Sequence, residues 1–125
     1  MSGSEQAQFV LDTNIVLYFL GNRLANPLPA GQYLVSIITE IELLSYPSLT
    51  PEEETQIQVF LAQILVCSID PKIKAATIAL RKTHRLRLPD AIVAATAKVA
   101  DAVLLTNDMG LLNLEGVQAQ SLAIL

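Results

Sequence analysis

Several residue types that build functional sites are scarce in this 125-residue chain. It contains one cysteine, Cys67, one histidine, His84, and no tryptophan. A single cysteine excludes an internal disulfide and a multi-cysteine zinc site, and it is typical of a protein kept in a reducing compartment. His84 has no partner near it in sequence, which makes it a weak candidate for a base or a metal ligand. We therefore look for the chemistry among the carboxylates.

Positive charge and long apolar runs are scarce as well. Eight cationic residues face twelve acidic ones, which gives a formal net charge of -4. This balance argues against a protein that simply coats nucleic acid. The apolar runs are far shorter than a bilayer span, and residues 1–8 lack the cationic and apolar regions of a secretory signal. We expect a cytoplasmic protein that does not associate with membranes.

Apolar residues, in contrast, are abundant. They make up 52% of the chain, whereas charged residues make up only 16%. This composition suits a parallel sheet that is buried on both faces, and it leaves apolar surface for a second copy of the chain. The length predicts one domain over residues 1–125, with residues 1–7 flexible and polar.

Short apolar runs alternate with amphipathic segments along the chain. Strands are predicted near residues 9–11, 33–35, 66–68, 102–105 and 117–122, and helices over 15–20, 37–46, 51–65, 71–81 and 90–100. Ser36 is a good N-cap for the second helix, and Ile37, Ile41 and Leu44 share one of its faces. Alternating strands and helices predict an α/β domain in which helices flank a mostly parallel sheet.

The most informative residues are two carboxylates that follow predicted strands. Asp12 comes directly after Phe9-Val10-Leu11, and Asp108 lies just beyond Val103-Leu104-Leu105. The carboxyl ends of parallel strands form the edge where ligands bind. Carboxylates that meet there repel one another unless they share a proton or a cation. With further acids at Glu42 and Asp90, the simplest neutralising partner is a hard divalent metal ion.

Each of these acids also has an ordinary structural interpretation. Asp12 can cap the following helix, and Asp90 lies in the first turn of its helix, where acids favour the helix dipole. Glu40 and Glu42 flank the apolar stripe at similar angles, so periodicity does not choose between them. The segment Asp12-Thr13-Asn14 also partly matches phosphatases of the haloacid-dehalogenase type, although their second aspartate is replaced by Asn14.

A basic segment comes directly before Asp90. Half of the eight cationic residues lie within seven positions, at Arg81, Lys82, Arg85 and Arg87. One interpretation is a solvated helix end, where cations are favourable. The other is a strip that holds the backbone of a polyanion while a metal ion engages one phosphate.

Taken together, the segments resemble a known family. The chain is similar to PIN-domain ribonucleases, in particular the VapC-type toxins of bacterial toxin–antitoxin pairs, over residues 9–122. The resemblance is carried by four segments in the family's order: residues 9–14, 36–43, 88–91 and 104–108. The second segment, Ser36-Ile-Ile-Thr-Glu-Ile-Glu-Leu43, selects Glu42 over Glu40. The following loop, Leu43 to Pro47, departs from the family because many toxins have a glycine there.

The resemblance implies a PIN-like three-layer sandwich and a metal-dependent endoribonuclease. Asp12, Asp90 and Asp108 would hold one or two Mg²⁺ or Mn²⁺ ions, and Glu42 would bind the metal or its water. The residues expected to support these ligands or to contact a phosphate are Thr13, Asn14, Thr106 and Asn107. The basic segment would hold the RNA backbone. The implied partners are RNA, a small antitoxin protein and a second copy of the chain.

Two other interpretations remain open on the sequence. A phosphatase would form a covalent aspartyl intermediate at Asp12. A non-catalytic interaction domain would keep the fold without the reaction, although it would have no physical need for four unpaired acids.

Overall fold

A five-stranded sheet with every strand pair parallel forms the centre of the molecule. The computed structural model describes residues 6–125. The strands are β1 (Gln8–Leu11), β2 (Gln32–Ser36), β3 (Leu65–Cys67), β4 (Val103–Leu105) and β5 (Ala119–Gln120). Their order across the sheet is β3-β2-β1-β4-β5. The predicted α/β class is confirmed, and the sheet is more uniformly parallel than the sequence indicated.

Six helices connect and flank these strands. They are α1 (Thr13–Leu20), α2 (Ile37–Leu44), α3 (Pro51–Leu61), α4 (Pro71–Thr83), α5 (Leu88–Ala100) and α6 (Met109–Leu112). The predicted starts of α2, α3 and α4 are confirmed, because Ser36, Thr50 and Asp70 cap them with their side chains. Within residues 6–125, no helix has the length and apolar character needed to cross a membrane.

The strand order contains a topological switch beside β1. The chain builds outward from β1 through β2 to β3, and then returns to place β4 on the other side of β1. In open parallel sheets, the crevice at the carboxyl ends of two such strands is the usual place for a ligand. Here those strands are β1 and β4, which end at Leu11 and Leu105 in matching register.

Two apolar cores cover the two faces of the sheet. On one face, α5 supplies Val93, Ala94 and neighbouring small residues that pack with Val10 of β1. On the other face, Leu11 packs with residues of α1 and α3 such as Ile15 and Phe60. Because β1 is buried on both sides, the residue that follows it, Asp12, is held at a fixed place.

The predicted apolar stripe of α2 is wrong. Ile41 is 52% exposed, whereas Thr39 and Leu43 are completely buried. Leu43 instead packs into the core with residues of α1 and α3. The same face of the helix brings the Thr39 hydroxyl to Thr13 of α1, and Glu42 contacts Thr13 as well.

Other differences concern the ends of the chain and of elements. Helix α6 was not predicted, since four residues carry too little periodicity. The strand predicted near residues 117–122 shortens to β5, which lies at the edge of the sheet. Of the residues predicted to be flexible, 1–5 lie outside the described part of the chain, and 6 and 7 have no regular secondary structure.

Candidate functional site

One cavity contains all four of the acids that the sequence singled out. It lies at the carboxyl ends of β1 and β4 and has a volume of about 350 Å³. Its lining residues are Asp12, Thr13, Asn14, Glu42, Ser45, Tyr46, Arg87, Asp90 and Asp108. Glu40 is not among them, although it lies two positions from Glu42 on the same helix. The switch point of the sheet and the acid-rich cavity therefore coincide.

Asp12 is the most constrained of the four acids. Its backbone N–H donates to the carbonyl of Leu105 at 3.0 Å, which extends the register of β1 and β4 by one residue. One carboxylate oxygen accepts from the Thr13 N–H at 2.8 Å, and the other accepts from the Thr106 hydroxyl at 2.7 Å. Both interpretations of Asp12 thus describe its geometry, since it caps α1 and also faces the cavity.

Burial makes the negative charge of Asp12 costly. The residue is only 8% exposed, and desolvation raises the pKa of its carboxyl above the ordinary value of 3.8. Hydrogen bonds from Thr106 and Thr13 lower the pKa, while the charges of Asp90 and Asp108 raise it again. The net shift is upward, chiefly because desolvation outweighs the two hydrogen bonds.

A chain of threonine hydroxyls positions Glu42. The Thr13 hydroxyl lies 2.6 Å from one carboxylate oxygen of Glu42 and 3.0 Å from the hydroxyl oxygen of Thr39. Thr13 and Thr39 are both buried. The glutamate is therefore tied to the first turn of α1, beside Asp12. Thr39 has no place among the predicted site residues, because hydrophobic periodicity carries no signal for a buried hydroxyl.

Asp90 and Asp108 are supported differently. Asp90 lies in the first turn of α5, where one oxygen accepts from Arg87 Nε at 3.2 Å. Asp108 follows β4 and caps the short helix α6 by accepting from the Gly110 N–H at 2.8 Å. The Asp108 N–H donates to the hydroxyl oxygen of Thr106, the same group that donates to Asp12. Thr106 thus connects two of the four acids.

The structure places the two predicted asparagines, Asn14 and Asn107, in different surroundings. Asn14 lines the cavity and is exposed, whereas Asn107 turns away from it. The Asn107 side chain donates to the carbonyl of Leu122 at 3.0 Å and accepts from its N–H at 2.8 Å. That pair holds the segment after β5 against the end of β4. Asn107 thus has a structural role here, and the contact with a phosphate that the sequence suggested has no support in this geometry.

The predicted basic segment separates into two parts. Arg87 lines the acidic cavity, and the charges of Asp90, Glu42 and Asp108 raise its pKa, with the Asp90 hydrogen bond contributing most. Arg81, Lys82 and Arg85 instead line a neighbouring groove of about 480 Å³. Its other lining residues are Thr77, Ile78, His84, Leu86 and Leu88. The lining of the groove thus combines cationic and apolar side chains.

Two residues of the cavity wall were missed by the sequence analysis. Ser45 and Tyr46 follow α2 and line the cavity, and Tyr46 is 46% exposed. They lie in the loop where the chain departs from the family pattern. Tyr46 also borders an apolar cleft of about 330 Å³ between α1 and α3, which is lined by residues such as Leu17, Leu49 and Ile57.

The donor set fits a hard divalent cation, although the side chains are not closed around one. In the described part of the chain, no group of three or more carboxylate, histidine or cysteine residues is arranged to hold an ion as it stands. However, Glu42, Asp90 and Asp108 each have a carboxylate oxygen that no donor within residues 6–125 contacts. Oxygen ligands of this kind are those that Mg²⁺ and Mn²⁺ prefer.

Solved structures of several bacterial proteins share this fold. A chain of the DNA-bound VapBC complex from Salmonella typhimurium matches with a TM-score of 0.79 and 22% identity, covering 92% of this chain and 98% of that one. VapBC2 from Rickettsia felis, bound to a promoter DNA fragment, gives 0.77 and 17% over the same shares. A toxin–antitoxin complex from Klebsiella pneumoniae gives 0.72 and 28%, covering 86% and 93%. Of these three chains, the one from Klebsiella pneumoniae is the most similar in sequence.

Sequence comparison agrees with the fold. None of the curated proteins matches the chain in sequence. A family model described as the PIN domain matches residues 9–116, which include every acid of the cavity. The match spans most of the chain and runs from β1 to just before β5, so the protein belongs to the PIN domain family.

Proposed function

We propose that the protein is a metal-dependent endoribonuclease that serves as the toxin of a type II toxin–antitoxin pair. The observation that carries this proposal is the convergence of Asp12, Glu42, Asp90 and Asp108 on one cavity at the sheet's switch point. Membership of the PIN domain family supports a nuclease. The toxin role follows from the likeness to chains of toxin–antitoxin complexes.

The four carboxylates would hold one or two Mg²⁺ or Mn²⁺ ions. A bound ion supplies an activated water and offsets negative charge on the scissile phosphate. Asp12 contributes a charge fixed by two hydrogen bonds, and Asp108 is held at the end of β4 by its cap on α6. Glu42 is placed by Thr13 to accept a proton from a water or to bind the ion.

Contacts with RNA would come from the basic groove and the exposed polar rim. Arg81, Lys82 and Arg85 offer cations to the phosphate backbone, and such contacts carry little sequence information. Asn14 lies on the cavity rim and offers an amide to a phosphate or a sugar. An acidic protein then binds RNA only where these cations face it, which limits unspecific binding.

The proposed partners are a small antitoxin protein and a second copy of the chain. The toxin would act in the cytoplasm, where RNA and a neighbouring antitoxin are both available. A gene for a small DNA-binding protein directly beside this one is the expected genomic context. A gene that stands alone in related genomes would speak against the toxin role but leave the ribonuclease chemistry intact.

A cleavage assay with two matched pairs of variants tests the enzymatic proposal. Glu42→Gln and Asp108→Asn should lower RNA cleavage about 100-fold or more, because each removes a charge from the cavity. Glu40→Gln is the control for the first, since it lies on the same helix outside the cavity. Asp101→Asn is the control for the second, because Asp101 adopts φ 54°, which asparagine tolerates.

Wild-type protein and both controls should cleave single-stranded RNA with Mg²⁺ or Mn²⁺ and stop cleaving in excess chelator. Equal activity in Glu42→Gln and Glu40→Gln would overturn the assignment of Glu42. Chelator-resistant cleavage would overturn the metal dependence. Binding of Mn²⁺ without cleavage of any RNA would favour the non-catalytic interpretation, and a phosphorylated Asp12 would favour the phosphatase.

A further inference from the structure

Arg87 occupies an unusual position at the acidic cavity. Among the described residues that line it, Arg87 is the only cation. Its Nε lies 3.2 Å from an oxygen of Asp90, yet the Arg87 side chain is 78% exposed and that of Asp90 is 19% exposed. An ion pair whose cation is this exposed stabilises a fold very little. Stability therefore does not explain why a guanidinium is directed at the cavity.

The backbone of Arg87 is fixed, whereas its side chain is free to move. The residue is the N-cap of α5, and its carbonyl accepts from the Ala91 N–H at 3.0 Å. Its side chain makes no capping hydrogen bond. Pro89 follows in the first turn and restricts the backbone further. The guanidinium can therefore leave Asp90 without any loss to the helix.

The surroundings of the guanidinium favour exchange between two anions. Its present partner, Asp90, is one of four acids around the cavity. A divalent ion bound by Asp90 would repel a cation on the same carboxylate. The basic groove is close along the chain, because Leu86 and Leu88, the two chain neighbours of Arg87, both line it together with Arg85. A guanidinium has five N–H donors in a planar fork that matches a phosphate, and only Nε is used here.

We propose that Arg87 is an exchangeable counter-ion of the site. It neutralises Asp90 while the cavity is free of metal, and it transfers to a phosphate of bound RNA when a divalent ion takes Asp90. Arg87 then couples the binding of metal and RNA, because the metal ion displaces the guanidinium from Asp90 and frees it to bind a phosphate. The inference rests on the function proposed above, and it adds a positioning role that the acids alone do not give.

Metal affinity gives the first test, and it does not depend on catalysis. Mn²⁺ is titrated into the metal-free full chain by calorimetry, with wild type, Arg87→Gln and Arg85→Gln compared. Arg87→Gln should bind Mn²⁺ at least about fivefold more tightly, the effect of one unit charge near 4 Å in water. Arg85→Gln should match wild type within about twofold, because Arg85 lines the neighbouring groove. Thermal melts check that all three proteins are folded.

RNA binding gives the second test. A single-stranded oligonucleotide is bound in chelator and again in Ca²⁺, which takes the same oxygen ligands, with a gel to confirm that it stays intact. In chelator, Arg87→Gln should bind RNA within about twofold of wild type, whereas Arg85→Gln binds more weakly. The gain in RNA affinity on adding Ca²⁺ should be smaller in Arg87→Gln than in the other two proteins.

The outcomes separate this inference from the function on which it rests. Wild-type protein that takes up no Mn²⁺ would overturn both the metal-dependent function and the exchange. Mn²⁺ uptake that is equal in wild type and Arg87→Gln would overturn only the exchange. An equal Ca²⁺-dependent gain in all three proteins would also overturn it, since Arg87 would then not connect the two ligands.

Discussion

At the scale of single residues, threonine hydroxyls organise the acidic site. Thr106 donates to Asp12 and accepts from the backbone of Asp108, while Thr13 donates to Glu42. The sequence predicted Asp12 and Asp108 because carboxylates at strand ends have a chemical meaning, whereas Glu42 and Asp90 were assigned through the resemblance to a family. It did not predict the contact of Thr39 with Thr13, because a hydroxyl acquires a partner only once the elements have packed.

The buried charge of Asp12 predicts that Asp12→Asn stabilises the metal-free protein. Asparagine caps a helix as well as aspartate does, and it removes a charge that burial disfavours. The bond with Thr106 is weakened, but removing a desolvated charge outweighs this loss. At pH 7.5 in chelator, we expect a gain of about 1 kcal/mol in the free energy of unfolding. A lower melting temperature for the variant would contradict this.

The same shift gives a pH dependence with a defined sign. Because the pKa of Asp12 is raised in the folded state, the folded protein takes up a proton more readily than the unfolded chain. The penalty of the charged carboxylate is present at neutral pH and is relieved as the pH falls through the raised pKa towards 3.8. The difference in stability between Asp12→Asn and wild type should therefore shrink on acidification, as measured by thermal melts.

At the scale of elements, the register of neighbouring segments determines which acids meet. Strands β1 and β4 end level with each other, so the residues that follow them, Asp12 and Thr106, are in contact. The sequence predicted both strands from their apolar runs. Periodicity could not predict the orientation of α2, because it treats Glu40 and Glu42 as equivalent. The family resemblance selected Glu42, and in the structure Glu42 contacts Thr13 of α1.

Helix α4 carries the prediction about RNA binding. Lys82→Ala with Arg85→Ala removes two cations from the basic groove, whereas Lys72→Ala with Lys74→Ala removes two exposed cations from the other end of the helix. In filter binding over a range of salt concentrations, the variant with Lys82→Ala and Arg85→Ala should bind RNA of every sequence more weakly than wild type. Its slope of log affinity against log salt should flatten by about 1.4, or 0.7 for each lost phosphate contact.

The double variant at Lys72 and Lys74 serves as the control for charge alone. It should leave the salt slope near the wild-type value, because Lys72 and Lys74 do not line the groove. If both pairs flatten the slope equally, the effect reflects net charge, and the cluster is a solvated helix end.

At the scale of the whole molecule, surplus apolar surface predicts a homodimer. Large apolar side chains remain exposed on the helices that follow β2, with Ile41 of α2 at 52% and Val59 of α3 at 54%. A closed twofold contact buries such surface on both copies at once. Sedimentation should give the mass of two chains at micromolar concentration, and Ile41→Glu should shift it to one. A wild-type monomer would refute the prediction.

How much of this molecule the sequence predicted depends on the kind of signal involved. Strong local signals, such as the N-cap at Ser36, indicated where helices begin. The acid-rich edge of the sheet followed from two strand ends. The separation of Arg87 from Arg85 could not be foreseen, because the turn into α5 directs consecutive cations to different cavities.

The central claim is that the four acids form one metal site, and a Mn²⁺ soak of protein crystals tests it most directly. Anomalous scattering locates the ion without any assumption about catalysis. The account predicts a peak in the cavity at the ends of β1 and β4, with oxygens of Asp12, Asp90 or Asp108 about 2.1–2.2 Å away. An acid cavity without a peak at millimolar Mn²⁺, or a peak elsewhere on the surface, would contradict it.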